Sequence, residues 1–152
     1  MRPHSLLLSV ALTVTASGMG AQEPTSYTPL PSIPLPPALE RILRDYERGW
    51  RAGDEAGLAA LFTPDGFVPT HAGWVRGTAA ITATYGNASG DLQLRALAYA
   101  TADTVGYIIG AYGYGSSPDT PDRGKFVLAL RRAPHGPWLI AADLDSGNRP
   151  SP

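Results

Sequence analysis

The stretch Trp138-Leu139-Ile140-Ala141-Ala142-Asp143-Leu144-Asp145 ends in two carboxylates spaced two residues apart. On a β-strand, alternation puts Leu139, Ala141, Asp143 and Asp145 on one face and Trp138, Ile140, Ala142 and Leu144 on the other. Two carboxylates on one face can accept hydrogen bonds, carry protons and raise each other's pKa wherever water is excluded. The same pattern also describes the solvent side of a half-buried strand, and alternation alone leaves both readings open. The pair makes a poor metal site, since no histidine stands at ligand spacing and hard cations take more oxygen ligands than two side chains supply. No metal is expected. A second pair, Tyr46 and Trp50, lies one helical turn apart on an apolar stripe, where its rings either fill a core or wall a cavity.

These side chains need a helix and a sheet to bring them together. Leu39, Ile42, Leu43, Tyr46 and Trp50 recur at three- and four-residue steps from Ala38, with Glu40, Arg41, Arg44, Asp45, Glu47 and Arg48 between them, which predicts a helix to about Arg51. Ala52-Gly53 ends it, and Asp54 caps a short second helix through Leu58 to Phe62. Thr63-Pro64-Asp65-Gly66 reads as a turn, Phe67–Thr70 as a short strand, and Ala79–Tyr85 as a third helix stopping at Gly86-Asn87. Leu92–Ala100, Val105–Tyr114, Lys125–Arg132 and Trp138–Leu144 then read as an antiparallel meander, broken by Pro118, Asp119, Pro121 and Asp122 and by the Ala133-Pro134-His135-Gly136 hairpin. Lys125 and Arg131 fall opposite Phe126, Leu128 and Leu130 and are expected at the surface. The aromatics Trp74, Tyr85, Tyr99, Tyr107, Tyr112 and Tyr114 fit either a cavity wall or an interface.

The chain's two ends have a different composition. Arg2 and His4, the apolar run Leu6 to Val14, and the small residues from Ala16 to Ala21 have the three parts of a secretory signal. That predicts a signal peptide over 1–21, cleaved near Ala21, and a secreted or periplasmic protein; the run is shorter than the ~20 residues of a membrane span. Six prolines between Glu23 and Pro37 favour extended chain, so 22–37 reads as a proline-rich spacer. One domain is expected over 38–146, with a disordered tail at 147–152. The 152 residues have a formal charge of −1, which loss of Arg2 takes near −2, so neither nucleic acid nor an anionic membrane surface is an expected partner. Without cysteine there is no disulfide, thiolate nucleophile or lipoprotein acylation site. No phosphate loop, nucleotide fingerprint, Gly-x-Ser-x-Gly elbow or HExxH occurs, and no cofactor is expected.

In order and spacing, "YERGWRAGDEAGLAALFTPDGFV", "GTAAITATY" and "RGKFVLALRRAPHGPWLIAADLDS" resemble the SnoaL-like branch of the nuclear transport factor 2-like superfamily, which also holds ketosteroid isomerases. The resemblance spans about Ala38–Ser146. It implies an α+β cone: a curved, mostly antiparallel sheet with about three N-terminal helices covering its concave face. It implies that Asp143 and Asp145 face the cavity and that Tyr46 occupies the place of the oxyanion-binding tyrosine. Steroid isomerisation also needs a carboxylate base and a protonated oxyanion acid. The positions corresponding to them are Thr70 and Leu128, neither of which can serve. His71, one residue past Thr70, would reach the cavity only through a bulge, where its imidazole would be a base near pH 7.

Three functions follow as expectations. The first is a domain binding a small, largely apolar organic molecule among Tyr46, Trp50, Thr70, Trp74, Leu128, Asp143 and Asp145. The second is an isomerase, cyclase or hydratase using Asp143 or His71 with Tyr46. The third is a homodimer built on the open face of the sheet.

Overall fold

The structure, a computed structural model, describes residues 28–117 and 120–148. The expected signal peptide lies outside these residues, as do Pro118, Asp119 and the last four positions of the tail.

The chain order is α1 (Pro37–Ala52), α2 (Glu55–Ala60), β1 (Phe62–Thr70), β2 (Gly73–Arg76), α3 (Thr78–Thr84), β3 (Leu92–Ala102), β4 (Val105–Tyr114), β5 (Gly124–Arg131) and β6 (Leu139–Gly147). Pro37 opens α1 at a position where its missing N–H is no loss, and Gly53 closes it in the left-handed region at φ 63°. The Asp54 carboxylate then accepts from Gly57 N at 2.8 Å and starts α2. The strands form one open, curved sheet in the order β2-β1-β6-β5-β4-β3, antiparallel except where β1 meets β6. Between helices and sheet lies the core, with Leu39, Ile42, Leu43, Leu58, Ile81, Ile108 and Ile140 fully buried. Each aliphatic side chain buried in this way stabilises by roughly 1.5–3 kcal/mol.

Three local features differ from the sequence expectation. Thr63-Pro64-Asp65-Gly66 does not separate the second helix from a strand: Phe62 already pairs with Ile140 and Phe67 with Ala142, so the four turn residues form an irregularity inside β1. The chain then reverses at His71-Ala72 into β2, which has no strong strand signal of its own. Part of the proline-rich stretch is docked, with Ile33 and Leu35 packed on the core and Ile33 N donating to Ala96 O of β3 at 2.9 Å. That contact and the Glu47 carboxylate, which accepts from Leu94 N, cover the free edge of β3, where an unpaired ladder would invite association.

The third difference sets the site. Leu130 pairs with Ile140 and Ala129 with Ala142, leaving Ala141 as an extra residue in β6. The bulge resets the alternation, so Ile140 rather than Ala141 shares the inner face with Asp143. Asp143 pairs with Leu128 and Asp145 with Phe126, both inward-facing residues of β5.

Candidate functional site

Helix α1 crosses the concave sheet with Tyr46 and Trp50 on its inner side, their rings 6.4 Å apart and nearly parallel at 12°. Tyr85, at the C-cap of α3, stands edge-on to both, 6.0 Å from Tyr46 and 6.2 Å from Trp50. The Trp50 indole Nε1–H donates to Ser89 O at 2.6 Å, which ties α1 to the loop after α3. Tyr85 follows Ile81 by four positions and lies on the same buried stripe of a short helix. That spacing is the signal that would have assigned Tyr85 to the interior.

The Tyr46 hydroxyl is the hub of a small polar cluster. It lies 3.0 Å from Asp143 Oδ2 and 2.9 Å from the Tyr85 hydroxyl. A phenol has one proton, so when Asp143 is ionised the bonds run in one direction: Tyr85 donates to Tyr46, and Tyr46 donates to Oδ2. The other carboxyl oxygen, Oδ1, is buried and has no hydrogen-bond partner among the described residues. An unsatisfied buried oxygen of this kind is uncommon and calls for a donor.

Burial, and after it the charge of Asp145, pushes the Asp143 carboxyl up from 3.8 to about 7, against the downward pull of its tyrosine partners. Both phenols are raised in turn, chiefly by burial and by Asp143, and stay protonated. The site therefore holds one group that changes charge near neutral pH, held by two that do not.

Around this cluster lies a cavity of about 190 Å³. Val68 and Pro69 of β1, Leu92 and Leu94 of β3, and Phe126 and Leu128 of β5 give it apolar walls, while Thr84 of α3, Tyr112 and Tyr114 of β4 and Asp145 complete its lining. Tyr112 fits because Gly124 lies beneath it: a Cβ there would fall 2.3 Å from the ring. No two-residue alternation reports that approach, and it is read only from the β4–β5 pairing of Tyr112 with Gly124.

Of the residues singled out from sequence, Tyr46, Trp50, Leu128, Asp143 and Asp145 converge on this cavity. Thr70, His71 and Trp74 do not. The expected cavity position of Thr70 is corrected by its hairpin role: its exposed hydroxyl accepts from Ala72 N and donates to Gly73 O, capping the β1–β2 turn. His71 is exposed in that turn, because the irregularity in β1 falls before Phe67 and not at Thr70. Trp74 pairs with Pro69 and stacks edge-on against Phe67, 56% exposed and outside the cavity lining. Leu128, the position that by resemblance corresponds to the oxyanion acid, lines the cavity as an aliphatic side chain, and its direct cross-strand partner is Asp143. Among the described residues no three His, Cys, Asp or Glu side chains are grouped to hold a metal ion, and no helix is long and apolar enough to cross a membrane.

No family model matches the chain, and no curated protein matches it. Solved structures match over most of the domain. A protein of unknown function from Nostoc punctiforme with a cystatin-like fold is 18% identical, with a TM-score of 0.62 over 74% of this chain and 76% of its own. A nuclear transport factor 2-like protein of unknown function from Shewanella oneidensis is 17% identical, with a TM-score of 0.59 over 71% of this chain and 95% of that one. The fold is that of the nuclear transport factor 2-like superfamily. A ketosteroid isomerase-like protein from Erwinia carotovora has the same cone, at 14% identity and a TM-score of 0.58 over 74% and 95% of the two chains. At such identities the likeness is one of architecture, and a nuclear transport factor 2-like cone serves unrelated chemistries.

Proposed function

We propose that this chain is an exported, SnoaL-like binding domain whose cone holds a small, largely apolar organic molecule bearing one polar group. The observation that carries this reading is Asp143: buried in an apolar and aromatic cavity, bonded through one oxygen to Tyr46, and left without a partner at the other. A domain that needed only a packed core would place an aliphatic residue there, as it does at the paired position Leu128. The test is native mass spectrometry and calorimetry of the purified chain against single-ring organic molecules. One bound equivalent in the wild type, weakened at least about tenfold by Asp143→Asn with the fold intact, is the expected result. Saturable binding indifferent to both Asp143→Asn and Tyr46→Phe would overturn it. The export component is tested separately by N-terminal sequencing of the protein after secretion, which should begin near Gln22.

Two further readings rest on particular observations. The Asp143 carboxyl near neutral pKa, in line with Tyr46 and Tyr85, suits proton transfer on a bound carbonyl or alcohol, as an isomerase, cyclase or hydratase would require. In that case Asp143→Asn abolishes turnover while Tyr46→Phe only slows it. The outer sheet face carries Val105, Tyr107, Ile109, Val127 and Leu144, each at least 39% exposed, which favours a homodimer across that face. Val127→Glu should then shift the sedimentation coefficient from dimer to monomer.

A further inference from the structure

The charge inventory of the cavity specifies what the polar group of its ligand must be. Among the residues lining it there is no lysine, arginine or histidine, while two carboxylates, Asp143 and Asp145, are present. The arginines of α1 are engaged elsewhere: Arg41 and Arg48 with Asp45, Arg44 with Glu40 and Glu47, and Arg51 with Asp91. Resting on the binding reading above, we propose that the cavity takes a protonated amine with an apolar body of about one ring, its ammonium N–H donating to the Asp143 carboxylate.

Three observations converge on this ligand class. Oδ1 is buried and unpartnered, and an ammonium supplies the charge-assisted donor that suits a carboxylate better than the neutral phenol already held by Oδ2. The walls beside it are aromatic, and the faces of Tyr and Trp rings attract a cation within about 6 Å. The volume of about 190 Å³ fits the body, since a cavity of about 150 Å³ already accepts benzene. An anionic ligand would meet Asp145 and no compensating positive charge.

The inference carries a pH signature. The ionisable groups facing Asp143 are Tyr46 from α1, Tyr85 from α3, Tyr112 and Tyr114 from β4, and Asp145 on its own strand; β1, β3 and β5 contribute none to the lining. All four phenols are shifted upward, by burial first, and stay protonated where Asp143 titrates. Amine affinity therefore rises with pH as Asp143 ionises, and falls when it is protonated.

The experiment is titration calorimetry of the full chain with phenethylamine, 2-phenylethanol and phenylacetate at pH 8 and pH 5. At pH 8 the amine should bind at least about tenfold tighter than the alcohol, with phenylacetate weakest. At pH 5 the preference for the amine should disappear. Asp143→Asn should lower the amine to the affinity of the alcohol, and Asp145→Asn should weaken it a few-fold, which keeps the test intact if one variant folds poorly. Alcohol binding equal to or tighter than amine binding at pH 8 overturns the cation and leaves the pocket reading standing. Binding of none of the three removes both.

Discussion

Two carboxylates in this domain are equally buried and have opposite roles. Glu47 and Asp143 are each 7% exposed. Glu47, on the side of α1 away from the cavity, is held by Arg44 through both oxygens at 2.7 and 2.6 Å and accepts from Leu94 N at 2.6 Å. It fastens α1 to the edge of β3. Asp143 has no cation beside it, one phenol on one oxygen, and nothing on the other. Desolvation is the leading upward push on both carboxyls, and for Glu47 it is opposed by the Leu94 N–H and by Arg44, whereas for Asp143 a second carboxylate adds to it. Burial by itself thus does not mark a functional acid; the inventory of partners does.

The largest test of this contrast is the pH dependence of Asp143→Asn. An aspartate raised from 3.8 to about 7 on folding binds more protons folded than unfolded between those values, so the stability it permits is present below about pH 4 and is lost as pH rises through 7. At 1.36 kcal/mol per unit, the variant should gain up to about 4 kcal/mol relative to wild type between pH 4 and pH 8, read from denaturant midpoints. Glu47→Gln should move the other way at pH 8, losing about 2 kcal/mol because an amide group faces the Arg44 guanidinium and the Leu94 N–H loses its charged acceptor. Equal signs for the two substitutions at pH 8 would erase the distinction. Tyr46→Phe should lose about 1 kcal/mol and raise the Asp143 midpoint further, since its hydroxyl donates to Oδ2. Asp145→Asn should shift the Asp143 midpoint downward, since the Asp145 charge is the upward push next after burial, a change observable by carboxyl NMR.

Much of the frame was legible in the sequence. The apolar stripe of α1, the Gly53-Asp54 break and the four strands of the meander follow from periodicity and turn chemistry, and Val105–Tyr114 matches at both ends. The site was legible in part. Tyr46, Trp50 and Asp143 follow from stripe and alternation, but alternation placed Ala141 beside Asp143 when the bulge puts Ile140 there. An alanine gives no local signal for a bulge, because the extra residue is fixed by how β6 pairs with both β5 and β1. Glu47 was equally opaque. It sits among charged helix residues that are mostly exposed, and only the free N–H of a strand far along the chain draws it inward. The tyrosines of the cavity needed the same long-range information, since Tyr107 and Tyr112 share strand β4 and fall on opposite faces.

Asp143 is a buried acid without a counter-charge, pushed up to change protonation near neutral pH. Carbon-13 NMR titration of the aspartate carboxyls in the folded chain, with Asp143 assigned through the Asp143→Asn spectrum, measures this directly. The expected midpoint for Asp143 is about 7. A midpoint in the ordinary carboxylate range, about 4, would contradict it.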